Sequence, residues 1–247
     1  MLNNKNAFIT GCNRGIGKSI LRKFIKNRAN VICAVRKADS KFLKFINNIK
    51  KKSKSNIKIV EFDLLNESEV KNTISSLNKK NFKIDILINN AGLASGSIFE
   101  MTSIEKIKKI FETNYFAQLR LTQLLLRFLK KSKSASIINL GSVTGIIPER
   151  GTLAYGSSKA ALMFATKIMA NEFSNYGIRV NAIAPSVVQT NMSDKMNAKA
   201  KEALIEQSFL KKEGSVEDIS DLALFLSSEN SKHINGQVIR IDGGMKI

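Results

Sequence analysis

The chain is poor in the residues that build cross-links or metal centres. Its 247 residues include two cysteines, Cys12 and Cys33, one histidine, His233, and two prolines. Two cysteines make no disulfide framework and show no metal-ligand spacing, which suits a reducing cytoplasm. His233 has no metal partner near it in sequence and reads as a surface loop residue, so no metal site is expected. No apolar run reaches the roughly 18 residues of a membrane-spanning helix. The opening stretch, Met1 to Asn6, leads straight into a strand-like run with no secretory pattern. Glycine and proline contents are ordinary and 43% of residues are hydrophobic, which excludes disordered and fibrous classes. The length suits a single domain, 1–247, with a substantial core. Acidic residues are scarce, 20 against 40 basic, for a net charge of +20. Such a charge raises the question of nucleic acid. The lysines are nevertheless spread along the chain, no nucleic-acid motif accompanies them, and aromatics do not interleave with them. The densest run, Lys50-Lys51-Lys52-Ser53-Lys54, falls at a helix end where cations suit the dipole. A solvated basic surface is expected, with attraction for an acidic partner or substrate carrier as the alternative.

What is present is alternation. Strand-like runs at 7–10, 30–35, 57–62, 84–88, 135–140, 178–184 and 237–241 exchange with helical stretches at 15–28, 40–52, 67–79, 103–129, 151–176 and 216–226. Seven strands with intervening helices and no linker predict an α/β, single-domain, doubly wound (Rossmann-like), mostly parallel sheet with helices on both faces. On the helix 151–176, Leu162, Phe164, Ala165, Ile168 and Met169 are expected to be buried. The polar, Met-containing segment 191–212 reads as a mobile lid.

The chemistry concentrates at two places. The turn Thr10-Gly11-Cys12-Asn13-Arg14-Gly15-Ile16-Gly17 lies between a strand and a helix. Its G-x-x-x-G-x-G spacing allows a tight turn and close approach of backbone to a pyrophosphate at the helix N-terminus. The second strand ends in Arg36-Lys37, where an NAD site places a carboxylate; Arg14 and Arg36 together point to the 2′-phosphate of NADPH. Asp63, at the end of the third strand, either hydrogen-bonds adenine or caps the next helix. Small residues in Asn89-Asn90-Ala91-Gly92 let the backbone approach a flat ligand, and the Asn amides can brace neighbouring strands. The second place is Ser142 with Tyr155 and Lys159. Four residues apart on a helix, Tyr155 and Lys159 share one face. A lysine ammonium there lowers the phenol pKa towards a useful range, and Ser142 can align a carbonyl oxygen. Asn114, in the middle of the long helix 103–129, marks either a kink that frees a carbonyl for water or a tolerated polar residue.

In combination these stretches resemble the short-chain dehydrogenase/reductase family over essentially the whole chain. The resemblance rests on Thr10-Gly11-x-x-x-Gly15-Ile16-Gly17, Asn89-Asn90-Ala91-Gly92, Asn114, Ser142, Tyr155-x-x-x-Lys159, Pro185 with Thr190, and Asp242-Gly243-Gly244. It implies a ketoreductase in which Tyr155 is the general acid, Lys159 holds the nicotinamide ribose, Ser142 orients the carbonyl and Asn114 anchors a relay water. It further implies that the cofactor lies against the glycine turn (Gly11, Asn13, Arg14, Gly15, Ile16, Gly17), Arg36, Asn90, Ala91, Gly92 and Pro185. Val188 backbone and Thr190 hydroxyl would hold the carboxamide, and Asp63 the adenine. Ser186 departs from the glycine usual after the proline. The ending Ile234 to Gly244 is most similar to bacterial 3-oxoacyl-acyl-carrier-protein reductases, which implies an acidic acyl carrier protein docked on basic residues beside the active-site mouth. Lys133 falls at one such position, and Tyr176 at another that is often arginine. Leu93-Ala94-Ser95-Gly96-Ser97 departs from those enzymes' charged sequence. Another small ketone, alcohol or sugar intermediate is the alternative substrate, and a dinucleotide-sensing regulatory protein the alternative outside enzymes. The resemblance also implies a homotetramer paired through the helices 103–129 and 151–176.

Overall fold

A computed structural model describes residues 1–77, 82–190, 193–195 and 198–246. Among these residues seven strands form one sheet in the order β3-β2-β1-β4-β5-β6-β7. They are β1 (Asn6–Thr10), β2 (Asn30–Val35), β3 (Ile57–Glu61), β4 (Ile86–Asn89), β5 (Ala135–Leu140), β6 (Ile178–Pro185) and β7 (Val238–Ile241). Every pairing is parallel. Strands in such a sheet are covered on both faces, and β4 and β5 are buried at every position.

The period-2 alternation of side chains divides the core. Ala7 and Ile9 of β1 face a layer built by Ile20 and Phe24 of α1 (Gly15–Lys26), Phe42 and Ile46 of α2 (Ser40–Lys52), and the last long helix. Phe8, between them, faces Val70 and Ile74 of α3 (Glu67–Ser76) and the long helix that follows β4. That long helix runs as α4 (Ile104–Phe111), a π-helical turn (Glu112–Phe116) and α5 (Ala117–Leu129). After β5 and a short 3₁₀ turn, Val143–Gly145, comes α6 (Leu153–Glu172). α7 (Ala198–Glu206) and α8 (Val216–Ser227) follow β6. The predicted end of α3 at Lys79 lies outside the described residues.

Phe164 and Ile168 are 66% and 45% exposed, not buried. The helix α6 is apolar on most of its circumference, so Leu162, Ala165 and Met169 fill its core side and leave the other two on the far side. The segment 191–212, read as a polar lid, carries the helix α7; Asn191, Met192, Met196 and Asn197 lie outside the described residues. Lys201 of α7 forms an ion pair with Glu213, in the connection that leads to α8.

Candidate active site

In an open α/β sheet, ligands bind at the carboxyl ends of the strands where the order reverses, here between β1 and β4. Thr10 closes β1 and Asn89 closes β4, so the glycine turn and the Asn-Asn-Ala-Gly turn meet at this switch point. Thr10 Oγ1 organises the meeting. It donates to the Ile88 carbonyl and accepts the N–H groups of Asn90 and Ala91 at 3.0 and 2.9 Å. The Asn90 amide donates to the carbonyls of Thr10 and Gly11 at 2.9 and 3.1 Å. Asn90 therefore buttresses the glycine turn with its side chain while its backbone N–H is held by Thr10. Asn89 donates to Asn139 Oδ1 on β5 at 2.8 Å and to Thr122 on α5 at 3.0 Å, bracing the strands as the sequence suggests.

The geometry of the glycine turn fits a dinucleotide. Gly11 and Gly15 take φ of +65° and +51°, a region that disfavours a side chain. A Cβ at Gly17 would press into the Gly11 carbonyl and the Asn90 amide. The first turn of α1 has no acidic residue, and its N-cap, Arg14, makes no side-chain cap bond. Its unsatisfied N–H groups point where a pyrophosphate belongs. Cys12 and Ile16 turn inwards to the core, so Asn13 and Arg14 remain on the outer side. Across the cleft, a Cβ at Gly15 would lie 3.5 Å from Thr190 Cγ2. Thr190 is held by reciprocal bonds with Ser193, and Val188 by a bridge to Gly214. Pro185 ends β6, and Ser186 beside it donates its N–H to Ile241.

At the adenosine end, Arg14 and Arg36 are both exposed, one capping α1 and one directly after β2. The sequence reading missed Glu61, whose carboxylate accepts the Ala38 N–H at 2.6 Å and holds the turn that carries Arg36. Asp63 does not cap α3, because Asn66 does. Asp63 Oδ1 instead accepts the Leu65 N–H at 2.9 Å, and its own N–H donates to Glu69.

The catalytic candidates converge at the ends of β4 and β5. Ser142 leaves β5 as the N-cap of the 3₁₀ turn, placed so that its hydroxyl favours the phenolate of Tyr155. Lys159 is buried, with Nζ 5.8 Å from the Tyr155 ring centre, and donates to the Leu140 carbonyl at 2.6 Å. Burial lowers its pKa to about 8. The phenol of Tyr155 moves the other way from the sequence expectation: burial raises it above its ordinary value, and the hydroxyl of Ser142 only opposes that rise. The ammonium one turn away is spent on a carbonyl instead of on the phenol oxygen.

Asn114 is fully buried in the π-helical turn. Its Oδ1 accepts the Leu93 N–H at 2.8 Å, and its Nδ2 donates to the Leu93 carbonyl at 2.9 Å and to Ser158 at 3.0 Å. Ser158 in turn donates to the Tyr155 carbonyl. The side chain thus locks the Asn-Asn-Ala-Gly loop to the Tyr155 helix, which is more than a tolerated polar residue does. A Cβ on Gly92 would lie 3.1 Å from Asn114 Oδ1 and 3.5 Å from Lys159 Nζ, so a side chain here would crowd both catalytic candidates. In the widened turn the Ala117 N–H bonds the Glu112 carbonyl, and Gln118, which the sequence reading missed, donates to the carbonyls of Thr113 and Ala91.

Lys133 and Tyr176 are not beside the mouth. They precede β5 and β6, at the opposite, N-terminal end of the parallel strands, about 20 Å from the site at six residues of β5. His233 is exposed in a turn.

Comparisons with known proteins agree with this geometry. The family model described as Enoyl-(Acyl carrier protein) reductase matches residues 11–246. A 3-oxoacyl-[acyl-carrier-protein] reductase FabG of Rickettsia felis is 34% identical, over 99% of this chain and 98% of its own. The enzyme of that name from Thermotoga maritima is 31% identical, over 100% and 99%. Among solved structures, a short chain dehydrogenase from Burkholderia cenocepacia in complex with NADP superposes with a TM-score of 0.90 at 26% identity, covering 98% of each chain.

Proposed function

The chain belongs to the short-chain dehydrogenase/reductase family and is an oxidoreductase of CH–OH and C=O groups, and from that premise we propose that it is an NADPH-dependent ketoreductase. Its substrate is a 3-oxoacyl thioester on acyl carrier protein, reduced to the 3-hydroxyacyl thioester for fatty-acid biosynthesis. The observation that carries this reading is the convergence of Ser142, at the end of β5, with Tyr155 and the buried Lys159 one helical turn along, set beside a glycine cradle. The names of the Rickettsia and Thermotoga relatives support the substrate, and the NADP in the Burkholderia structure supports the cofactor. The unbroken sheet supports one catalytic domain. The unpaired buried thiols of Cys12 and Cys33 suit a reducing cytoplasm.

When bound, NADPH supplies a hydride to the carbonyl carbon. The protein does the rest. Tyr155 gives its proton to the ketone oxygen, Ser142 donates a hydrogen bond to the same oxygen, and Lys159 presents an ammonium to the ribose from beneath Gly92. Asn114 keeps the loop and the catalytic helix in register. Arg14, from the glycine turn, and Arg36, on the turn whose shape Glu61 maintains, would hold the 2′-phosphate.

A second reading, reduction of a small ketone or sugar intermediate, is favoured by the uncharged loop Leu93–Ser97 and by the placement of Lys133 at the far end of the strands. A carrier that uses Lys133 must do so on a neighbouring copy. The test follows NADPH oxidation with acetoacetyl-carrier protein, with acetoacetyl-CoA and NADH in parallel. Turnover on the carrier-bound substrate with NADPH supports the first reading. Failure with both thioesters despite tight NADPH binding moves the assignment to other ketones. Tyr155→Phe lowers turnover by about 10²-fold or more while NADPH still binds; an unchanged rate would overturn its role as acid.

A further inference from the structure

Ser142 has to present a proton at the ketone oxygen, yet its hydroxyl has several claimants. Its Oγ accepts the Thr144 N–H at 3.3 Å and lies 2.9 Å from Thr144 Oγ1, a pair in which either oxygen can donate. Tyr155 lies on its remaining side, where the Ser142 hydroxyl favours the phenolate. A hydroxyl owns one proton and two lone pairs. With one lone pair taken by the Thr144 N–H, two arrangements remain. If Ser142 donated to Thr144, its proton would point away from the reacting oxygen. If Thr144 donates, both lone pairs of Ser142 are filled, and its proton can go only towards Tyr155 Oη and a ketone oxygen beside it.

We propose that Thr144 is a positioning residue, whose hydroxyl donates to Ser142 and so turns the Ser142 proton onto Tyr155 and the ketone oxygen. The proposal rests on the ketoreductase reading and adds a residue to it. Thr144 is placed for this task by packing. A Cβ at Gly156 would come within 2.5 Å of the Thr144 carbonyl, and one at Gly145 within 2.7 Å of the Ala160 N, so the 3₁₀ turn lies against α6 with no room to shift. Gly156 directly follows Tyr155, so the contact that seats Thr144 also sets the start of the catalytic helix.

The experiment compares full-length wild type, Thr144→Val, which keeps the branched shape without the hydroxyl, and Thr144→Ser, which keeps the hydroxyl. The first readout needs no ketone. Phenolate absorbance is titrated, and the Tyr155→Phe trace is subtracted to remove Tyr115 and Tyr176. Thr144→Val is expected to ionise at higher pH than wild type, and Thr144→Ser to overlay wild type. The second readout uses a ketone that wild type reduces. Thr144→Val is expected to lower kcat about fivefold, the size of one lost hydrogen bond, with the KM for NADPH unchanged and Thr144→Ser restoring the rate. Titration and kcat that do not change in Thr144→Val, or a Thr144→Ser that fails like the valine, would overturn the proposal. A wild type that reduces no ketone would sink the ketoreductase reading alone, because the titration still decides the role of Thr144.

Discussion

Lys159 carries a consequence for stability as well as for chemistry. Its ammonium is buried against the Leu140 carbonyl and its pKa is lowered from 10.5 to about 8. Below pH of about 8 both folded and unfolded chains hold the proton, and the fold bears the cost of burying the charge. Between about 8 and 10.5 the folded chain has released the proton while the unfolded chain still holds it, so unfolding free energy rises with pH across this window. Lys159→Met removes the titration. The urea midpoint of wild type, measured relative to Lys159→Met without cofactor, is expected to climb from pH 7.5 to 9.5; a flat difference would contradict the burial. Such a pairing lies at the limit of what sequence shows. Tyr155 and Lys159 are legible because helical spacing puts them together. The partner of Lys159 is a backbone carbonyl on the strand before the helix, brought there by β5 and α6 packing, so the direction of the Tyr155 shift could not be read in advance. Thr144 and Glu61 escaped for the same reason: each acts on a backbone or hydroxyl group that folding supplies.

The turns depend on shape more than on composition. In the glycine turn, Gly17 sits where α1 crosses the Gly11 carbonyl and the Asn90 amide with no space for a methyl group. Gly17→Ala must push α1 away from the switch point, an overpacking cost of about 1–3 kcal/mol. Chemical denaturation reads that loss, and calorimetry is expected to show NADPH binding weakened by more than tenfold, because the cradle is displaced with the helix. Wild-type affinity in Gly17→Ala would show that the turn is not the pyrophosphate site. Strand and helix positions were largely legible here: β2, β5 and α2 have the bounds the pattern predicts, since apolar runs and end signals coincide. The π-helical turn was only half legible. Asn114 signals an irregularity, but widening the helix by one residue is a matter of hydrogen-bond register, and Gln118 reads as an ordinary helix former.

At the scale of the molecule, the apolar residues left outside the core have a pattern. Phe164 and Ile168 lie one turn apart on the outer face of α6, and Ile107, Phe111 and Phe116 line an open cavity of about 540 Å³ on the outer face of α4 and the π-helical turn. Phe164 and Ile168 were expected to be buried because a sequence does not say whether an apolar face meets its own sheet or another copy. The homotetramer proposed from family resemblance supplies the missing partner, since these two helices are the ones it pairs. In a twofold interface each substitution counts twice. Burying a phenylalanine contributes about 2 kcal/mol, so Phe164→Ser is expected to cost about 4 kcal/mol per interface, roughly a thousandfold in the association constant. Sedimentation velocity at micromolar protein should then show wild type as tetramer and Phe164→Ser as smaller species. The fold of the variant should persist, because the side chain contributes nothing to the core of its own chain. A monomeric wild type would leave the outer faces of α4 and α6 without the partner assigned to them. It would also remove the only route by which Lys133, at the far end of the strands, could help a carrier protein reach an active site.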